Sequence, residues 1–319
     1  MKRKSLLGVA LVALGFSTQA GTAVAAAPGV TTGPARNVGQ LGASLRGTVD
    51  PNRVATTYFF QYGTTRAYGA TTPEAAAGTG DARRNVAGGA GNLAPATLYH
   101  YRLVARNADG TTRGSDRTFR TQRQPLGVSL AANPNPIPFG GGTALGGTLT
   151  GTGNAGRQVV LQDNPFPYSR GFANLGNPQV TDGTGKFSFA LLSVPITTQF
   201  RVLMPERPAI VSPIVTAGVA ARVSARVSRT RIRRGSRVRF SGTIRPARPG
   251  AQIAFQKRRD GRWVTIGGTI ARRAGTSFSR YSRLQKINRG GTFRVFAGLV
   301  DGNYVSGTGR TLQITTRRR

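Results

Sequence analysis

Two runs in the first third of the chain alternate core and surface residues with a period of two. In Thr57-Tyr58-Phe59-Phe60-Gln61-Tyr62-Gly63, the rings of Tyr58, Phe60 and Tyr62 fall on one side. In the later run, Tyr99, Tyr101, Leu103 and Ala105 share one side, and His100, Arg102 and Arg106 take the other. That period belongs to a half-buried strand rather than to an amphipathic helix. Two such aromatic faces can close on each other as the core of a small β-sandwich. Turn chemistry punctuates the runs. Asp50-Pro51-Asn52 fixes one φ through its proline and offers two side chains that bond their own backbone, and Asn107-Ala108-Asp109-Gly110 does the same after the second run. Gly 44 and Pro 18 make roughly a fifth of the chain, as an all-β protein of many short strands and turns requires.

Around the second run the spacing Leu93-x-Pro95-x-Thr97-x-Tyr99-x-Tyr101 resembles the approach to strand F of fibronectin type III domains. The resemblance implies that Tyr99 is that fold's tyrosine corner, its hydroxyl bonded to the chain upstream. Gly47-Thr48-Val49-Asp50-Pro51-Asn52, Tyr62-Gly63-Thr64-Thr65 and Tyr99-His100-Tyr101-Arg102 are similar to a bacterial variety of the fold that is common in exported multidomain proteins. The likeness covers residues 30–123 and departs from many members in lacking the early core tryptophan.

Three landmarks of this segment recur in order at intervals of about a hundred residues, a domain-sized period. Gly47-Thr48-Val49 returns as Gly147-Thr148-Leu149 and Gly242-Thr243-Ile244. Fourteen or fifteen residues after each glycine comes a glutamine behind an apolar residue: Phe60-Gln61, Leu161-Gln162 and Phe255-Gln256. About forty residues further stands an aromatic-arginine pair: Tyr101-Arg102, Phe200-Arg201 and Phe293-Arg294. The expected architecture is therefore all-β, with three tandem antiparallel sandwiches. A flexible lead-in at 26–40 precedes a fibronectin type III-like domain at 41–123, and two sandwiches resembling bacterial immunoglobulin-like modules follow at 124–220 and 221–316. Asn133-Pro134-Asn135-Pro136-Ile137-Pro138 cannot be a central strand, because proline has no donor, and fits an edge strand that changes sheets or a polyproline segment.

Residues 1–25 carry the pattern of a secretory signal peptide. Lys2, Arg3 and Lys4 precede an apolar run at 6–16, too short to span a bilayer, and Ala23-Val24-Ala25 supplies the small residues read at cleavage, expected after Ala25. The expected location is secreted or cell-surface, with no membrane span once the peptide is removed.

The charge is unevenly placed. The formal net charge is +35, from 45 basic and 10 acidic residues. Residues 221–319 hold 25 basic side chains and two acidic ones, Asp260 and Asp301, a net +23. Arginine dominates, and guanidinium suits carboxylate and phosphate oxygens. The candidate polyanion contacts are Arg229, Arg231, Arg233, Arg234, Arg237 and Arg239 in one segment, with Lys257, Arg258, Arg259 and Arg262 beside an Asp260-Gly261 turn. Trp263 is expected at a half-buried core edge, with a stacking platform as the alternative. A second candidate contact is the aromatic loop of Phe166, Tyr168 and Phe172, whose rings could stack on sugars or fold onto their own domain.

Catalytic chemistry finds little material. There is no cysteine and one histidine, His100, which the alternation places on the surface of its strand with no partner. Thiolate nucleophiles, disulfides and three-histidine zinc sites are excluded. The carboxylates sit mostly beside Gly, Pro or Asn, where a turn role accounts for them, and no pair suggests a glycosidase. No cofactor or metal site is expected. The expected role is a non-catalytic interaction or spacer protein held to acidic envelope polymers or glycans by its third domain, with a protein partner as a further possibility. The alternatives are a polyanion- or nucleic-acid-binding protein and an accessory carbohydrate-binding module. Specific nucleic-acid binding is disfavoured because the segment Arg229–Arg239 has only Phe240 nearby as a stacking ring, and because export is expected.

Overall fold

The computed structural model describes residues 26–317, so the expected signal peptide at 1–25 lies outside the described residues. Strands joined by turns build all of the described chain, and no helix occurs in it. Three separate apolar cores form, each between two sheets. All but two of the strand pairings that build them are antiparallel, the exceptions being Ile137–Pro138 with Val219–Ala220 and Arg231–Arg233 with Leu312–Arg317. The described residues divide into two compact units on either side of the junction between Arg123 and Gln124.

The first unit closes as the alternation requires. Thr56–Gly63 pairs with Leu98–Asn107, which places Phe60 opposite Leu103 and Tyr62 opposite Tyr101. The buried side meets Leu45 and Val49 of Ala43–Asp50 in the other sheet, and Phe60, Tyr101, Leu103, Leu45 and Val49 are all removed from water. Tyr99 forms the corner that the fibronectin likeness implies: its hydroxyl accepts a hydrogen bond from the Ala94 amide at 2.9 Å, and its ring stacks on Phe119. The stretch expected as a flexible lead-in is ordered into the sandwich. Gly29–Thr32 pairs with Ala43–Asp50, and the buried Thr32 hydroxyl accepts the Leu103 amide at 3.1 Å. Its β-branched residues suit a strand, and Thr32 reaches into the core as a polar group with a partner.

In the second unit, Thr143–Thr150 pairs with Lys186–Leu191, and Gln158–Pro165 pairs with Thr198–Met204, around Leu145, Leu161, Phe200 and Val202. The proline-rich stretch behaves as an edge that changes sheets. Ala131–Asn133 pairs with Thr143–Thr150, whereas Ile137–Pro138 runs parallel to Val219–Ala220. The next core has Arg237–Arg245 and Ser279–Lys286 on one side, and Gln252–Arg259 and Gly291–Gly298 on the other. Phe240, Phe255 and Phe293 fill it, with the Phe240 and Phe255 rings stacked 4.8 Å apart.

One loop of this last sandwich, around residues 299–306, binds its neighbour within the unit. The Asn303 carbonyl accepts the Thr197 amide at 3.0 Å, and Val305 exchanges backbone hydrogen bonds with Val219 and Ala221. Tyr304 packs edge-on against Phe139 at 5.8 Å. Arg248 lies over the Tyr304 ring at 4.3 Å and pairs with Asp301 at 2.9 Å.

The recurrent glycine has one structural reason in all three sandwiches. At Gly47, Gly147 and Gly242 a Cβ would lie 2.6, 2.1 and 1.9 Å from the carbonyl oxygens of Thr31, Ser129 and Ser224, each in the first edge segment of its sandwich: Thr31 within Gly29–Thr32, Ser129 between Gly127–Val128 and Ala131–Asn133, and Ser224 between Arg222–Val223 and Arg226–Val227. The edge segment crosses its neighbour so closely that only hydrogen fits there. Gly89, in the same sheet as Gly47, faces open space. Gly47→Ala should therefore destabilise the first unit by about 1–3 kcal/mol through overpacking. Gly89→Ala should leave it unchanged or slightly more stable, since alanine loses less freedom on folding. Native-state hydrogen exchange at the Phe60 and Leu103 amides measures both.

Candidate polyanion-binding face

The buried residues of Arg237–Arg245 are Val238, Phe240 and Ile244, so Arg237, Arg239 and Arg245 stand on the outer side. Cross-strand register then brings more cations to that side. Lys286 sits opposite Arg237, Arg222 opposite Arg245, and Arg226 opposite Ser241. Arg280 sits opposite Thr243, and Arg272 opposite Arg280. All of these cations are exposed. Between them lie the short hydroxyl side chains of Ser224, Ser241, Ser282 and Thr243, with the exposed Leu284 directly opposite Arg239. The Ser224 and Thr243 hydroxyls are 2.8 Å apart.

Like charges directly across a strand pair are destabilising. This sheet nevertheless holds Arg222 against Arg245, Arg237 against Lys286, and Arg272 against Arg280. The only two carboxylate side chains of residues 221–319 are elsewhere, Asp260 in a hairpin turn and Asp301 paired with Arg248. The face is thus uncompensated by any carboxylate of its own sandwich.

The sequence candidates divide. Arg237 and Arg239 belong to the cationic face. Arg231 and Arg233 lie on the outer side of the opposite sheet, flanking the buried Ile232, in a strand paired with Leu312–Arg317. Arg258 is on that second outer side too, opposite Trp263. Arg229 and Arg234 lie exposed beside the strand Arg231–Arg233. Arg259 and Arg262 face each other at the end of the hairpin, where Asp260 and Gly261 take positive φ. Lys257 turns inward. Its ammonium donates to the Arg289 carbonyl at 2.8 Å and lies 5.6 Å from the centre of the Phe293 ring. Burial, with the charges of Arg259 and Arg289, pulls that ammonium below the usual lysine range. Arg222, Arg226, Arg245, Arg272, Arg280 and Lys286 join the face only through register. Their spread over five strands gives no cluster in the sequence.

The remaining landmarks meet directly. Gln61 faces Arg102, Gln162 faces Arg201, and Gln256 faces Arg294. In each pair the arginine Nε donates to the glutamine oxygen at 2.7 Å. Each guanidinium also covers an aromatic ring: Arg102 over Tyr68 at 4.6 Å, Arg201 over Phe172 at 4.2 Å and Arg294 over Trp263 at 4.4 Å. Trp263 is therefore half-buried on the outer side of its sheet, under a guanidinium, and not at the core edge expected of it. The bulge between Phe255 and Gln256 shifts the pairing by one residue there and sets Trp263 across from Arg258. The rings of the aromatic loop of the second sandwich are similarly occupied, Phe172 by its own sandwich and Phe166 partly by the last one. Phe172 lies beneath Arg201, Phe166 stands edge-on to Tyr168 at 5.5 Å, and Gly302 approaches the Phe166 ring so closely that a Cβ would come within 2.6 Å.

His100 also differs from expectation, because it has a partner. Its Nδ1 lies 2.8 Å from Asp116, which also accepts the Tyr68 hydroxyl at 3.0 Å and stands 3.4 Å from Arg66. Partial burial raises the Asp116 carboxyl. The hydrogen bonds from His100 and Tyr68 and the charges of His100 and Arg66 outweigh it, so the group sits below the usual aspartate range. A depressed carboxyl contributes stability above its unfolded pKa and loses it as pH falls through the folded value. Asp116→Asn should therefore flatten the acid-side loss of first-unit stability between about pH 5 and about pH 2, as read by urea denaturation followed through tyrosine circular dichroism.

The uncompensated face makes a second prediction. Exposed unit charges about 4 Å apart repel by ~1 kcal/mol in water, and salt screens that term. Added sodium chloride should raise the urea midpoint of the last sandwich, reported by the chain's single tryptophan, Trp263. A fall in that midpoint with salt would contradict the account.

No protein-family model and no curated protein matches the chain. Solved structures do match. The sensor domain of the anti-sigma factor RsgI4 from Pseudobacteroides cellulosolvens is 16% identical, covering 30% of this chain and 89% of its own, with a TM-score of 0.24. The FN1–FN3 domains of chicken CNTN1 are 15% identical over 92% of this chain and 100% of theirs, with a TM-score of 0.30. A tetra-tandem repeat from the extending region of a large adhesion protein is 12% identical over 92% of this chain and 75% of its own, with a TM-score of 0.29.

Proposed function

We propose that this chain is an exported, non-catalytic interaction and spacer protein of the cell surface or extracellular space, held to acidic envelope polymers by its last sandwich. One observation carries the reading: three cation pairs stand directly across strands on one exposed sheet face with no carboxylate among them. Folding alone disfavours that arrangement, and a polymer with closely spaced anionic groups relieves it. Strand spacing of about 4.8 Å and same-face spacing of about 7 Å along a strand set the grid on which such groups would be met.

The aromatic rings speak for charge rather than stacking as the means of recognition. Trp263 is covered by Arg294, Phe172 by Arg201 and Tyr68 by Arg102, so none offers an open platform to a base or a sugar. The same coverage weighs against a nucleic-acid reader and against an accessory carbohydrate module built on stacked rings. The test is binding of the full chain to an immobilised linear polyuronate. Affinity should fall by about tenfold or more between about 50 mM and about 200 mM salt. It should drop by a similar factor at low salt when Arg237, Arg239 and Arg280 are changed together to serine. Equal binding by this variant and the parent chain would refute the reading.

A further inference from the structure

The last sandwich carries exposed cations on both of its outer sides. Arg237, Arg239, Arg245 and Arg280 represent one side. Arg231, Arg233, Arg258 and Arg317 stand on the other, where Arg233 and Arg317 form another like-charged pair directly across strands. The alternation of buried and exposed residues on both sheets produces this division. Ile232, Leu312 and Ile314 point into the same core as Phe240 and Ile244, so their neighbours in sequence point away from it in opposite directions.

We infer that this sandwich is a two-sided bridge that joins two separate polyanion chains, one on each sheet face. The inference rests on the reading that the sandwich binds acidic polymer at all. Two packed sheets lie about 10 Å apart, and arginine side chains extend the charged surfaces to a separation on the order of 20 Å. The screening length at physiological ionic strength is about 8 Å, so an anionic strand held on one face neither neutralises the other nor repels a strand arriving there. A linear polymer reaches both faces only by bending sharply around a sheet edge, and a second chain reaches the free face without that cost. The ligand is a linear polymer with an anionic group on every repeat, carboxylate or phosphate. Between the arginines of the first face lie Ser224, Ser241 and Thr243, which can donate to such oxygens, and the half-buried Phe278 ring near them is flanked by the Arg245 and Arg280 guanidiniums at 5.6 and 5.4 Å.

The test uses the full chain with two short linear probes of matched length, a decauronate and a decaphosphate, in low-salt calorimetry. The expected result is two oligomers bound per protein for whichever anion is recognised. One is expected for the variant R237S/R239S/R280S and one for the variant R231S/R233S/R258S. With long polymer, the parent chain should cross-link and scatter light, and each single-face variant should scatter at least tenfold less at equal occupancy. Unchanged far-ultraviolet circular dichroism and a cooperative urea transition verify that both variants are folded. A stoichiometry of one for the parent chain, or single-face variants that scatter as the parent does, overturns the bridge while leaving one-sided binding intact. No binding of either probe overturns the underlying reading as well. Tighter binding of a ten-nucleotide single-stranded DNA than of both probes, with quenching of Trp263, overturns the assignment to an acidic polymer read by charge.

Discussion

The burial of Val238, Phe240 and Ile244 fixes the direction of every other residue on their strand. Phe240 cannot leave the core, because Phe255 stacks on it and Phe293 meets it edge-on. Arg237, Arg239 and Arg245 therefore have one direction open to them. The same logic runs across the sheet, since Tyr281 and Ser279 are buried and hold Arg280 outward. A charged face of this kind needs no dedicated scaffold. It is the unavoidable reverse of an aromatic core, and the alternating positions are free to carry whatever chemistry the outside requires.

The landmarks that organise the sequence into three copies are physical contacts in the fold. The recurrent glycine marks the crossing of a first edge segment over its neighbour, where a carbonyl oxygen occupies the space of a side chain. The recurrent glutamine and arginine are opposite each other in register and share a hydrogen bond of the same length in each copy. Residues far apart in sequence thus recur together because one backbone geometry requires them together. The all-β sandwich fold and the buried sides of its main strands were legible for this reason: they depend on periodicity and on contacts that leave residue-type signatures.

The parts that were not legible depend on pairing between distant strands. Arg222, Arg226, Arg272 and Arg280 form no run, and register alone makes them neighbours of Arg239 and Arg245. Lys257 looks like a member of a basic cluster, yet alternation turns it beneath the sheet to the Arg289 carbonyl. His100 faces outward as its strand position demands, but its partner Asp116 comes from the segment after the next hairpin. Trp263 depends on a bulge, and a one-residue shift exchanges the two sides of a strand.

The parallel pairing of Arg231–Arg233 with Leu312–Arg317 has a mechanical meaning. The Thr315 amide donates to the Thr230 carbonyl at 2.7 Å, and Arg234 donates to Arg317 at 3.3 Å. These bonds tie an early strand of the last sandwich, the one after Arg226–Val227, to the strand Leu312–Arg317. A pull that separates those two points acts along the strands, so the bonds are loaded together and must yield as a group. Antiparallel hairpins pulled at their open ends break one bond at a time. Tension applied between Arg231–Arg233 and the end of Leu312–Arg317 would thus load these parallel bonds together.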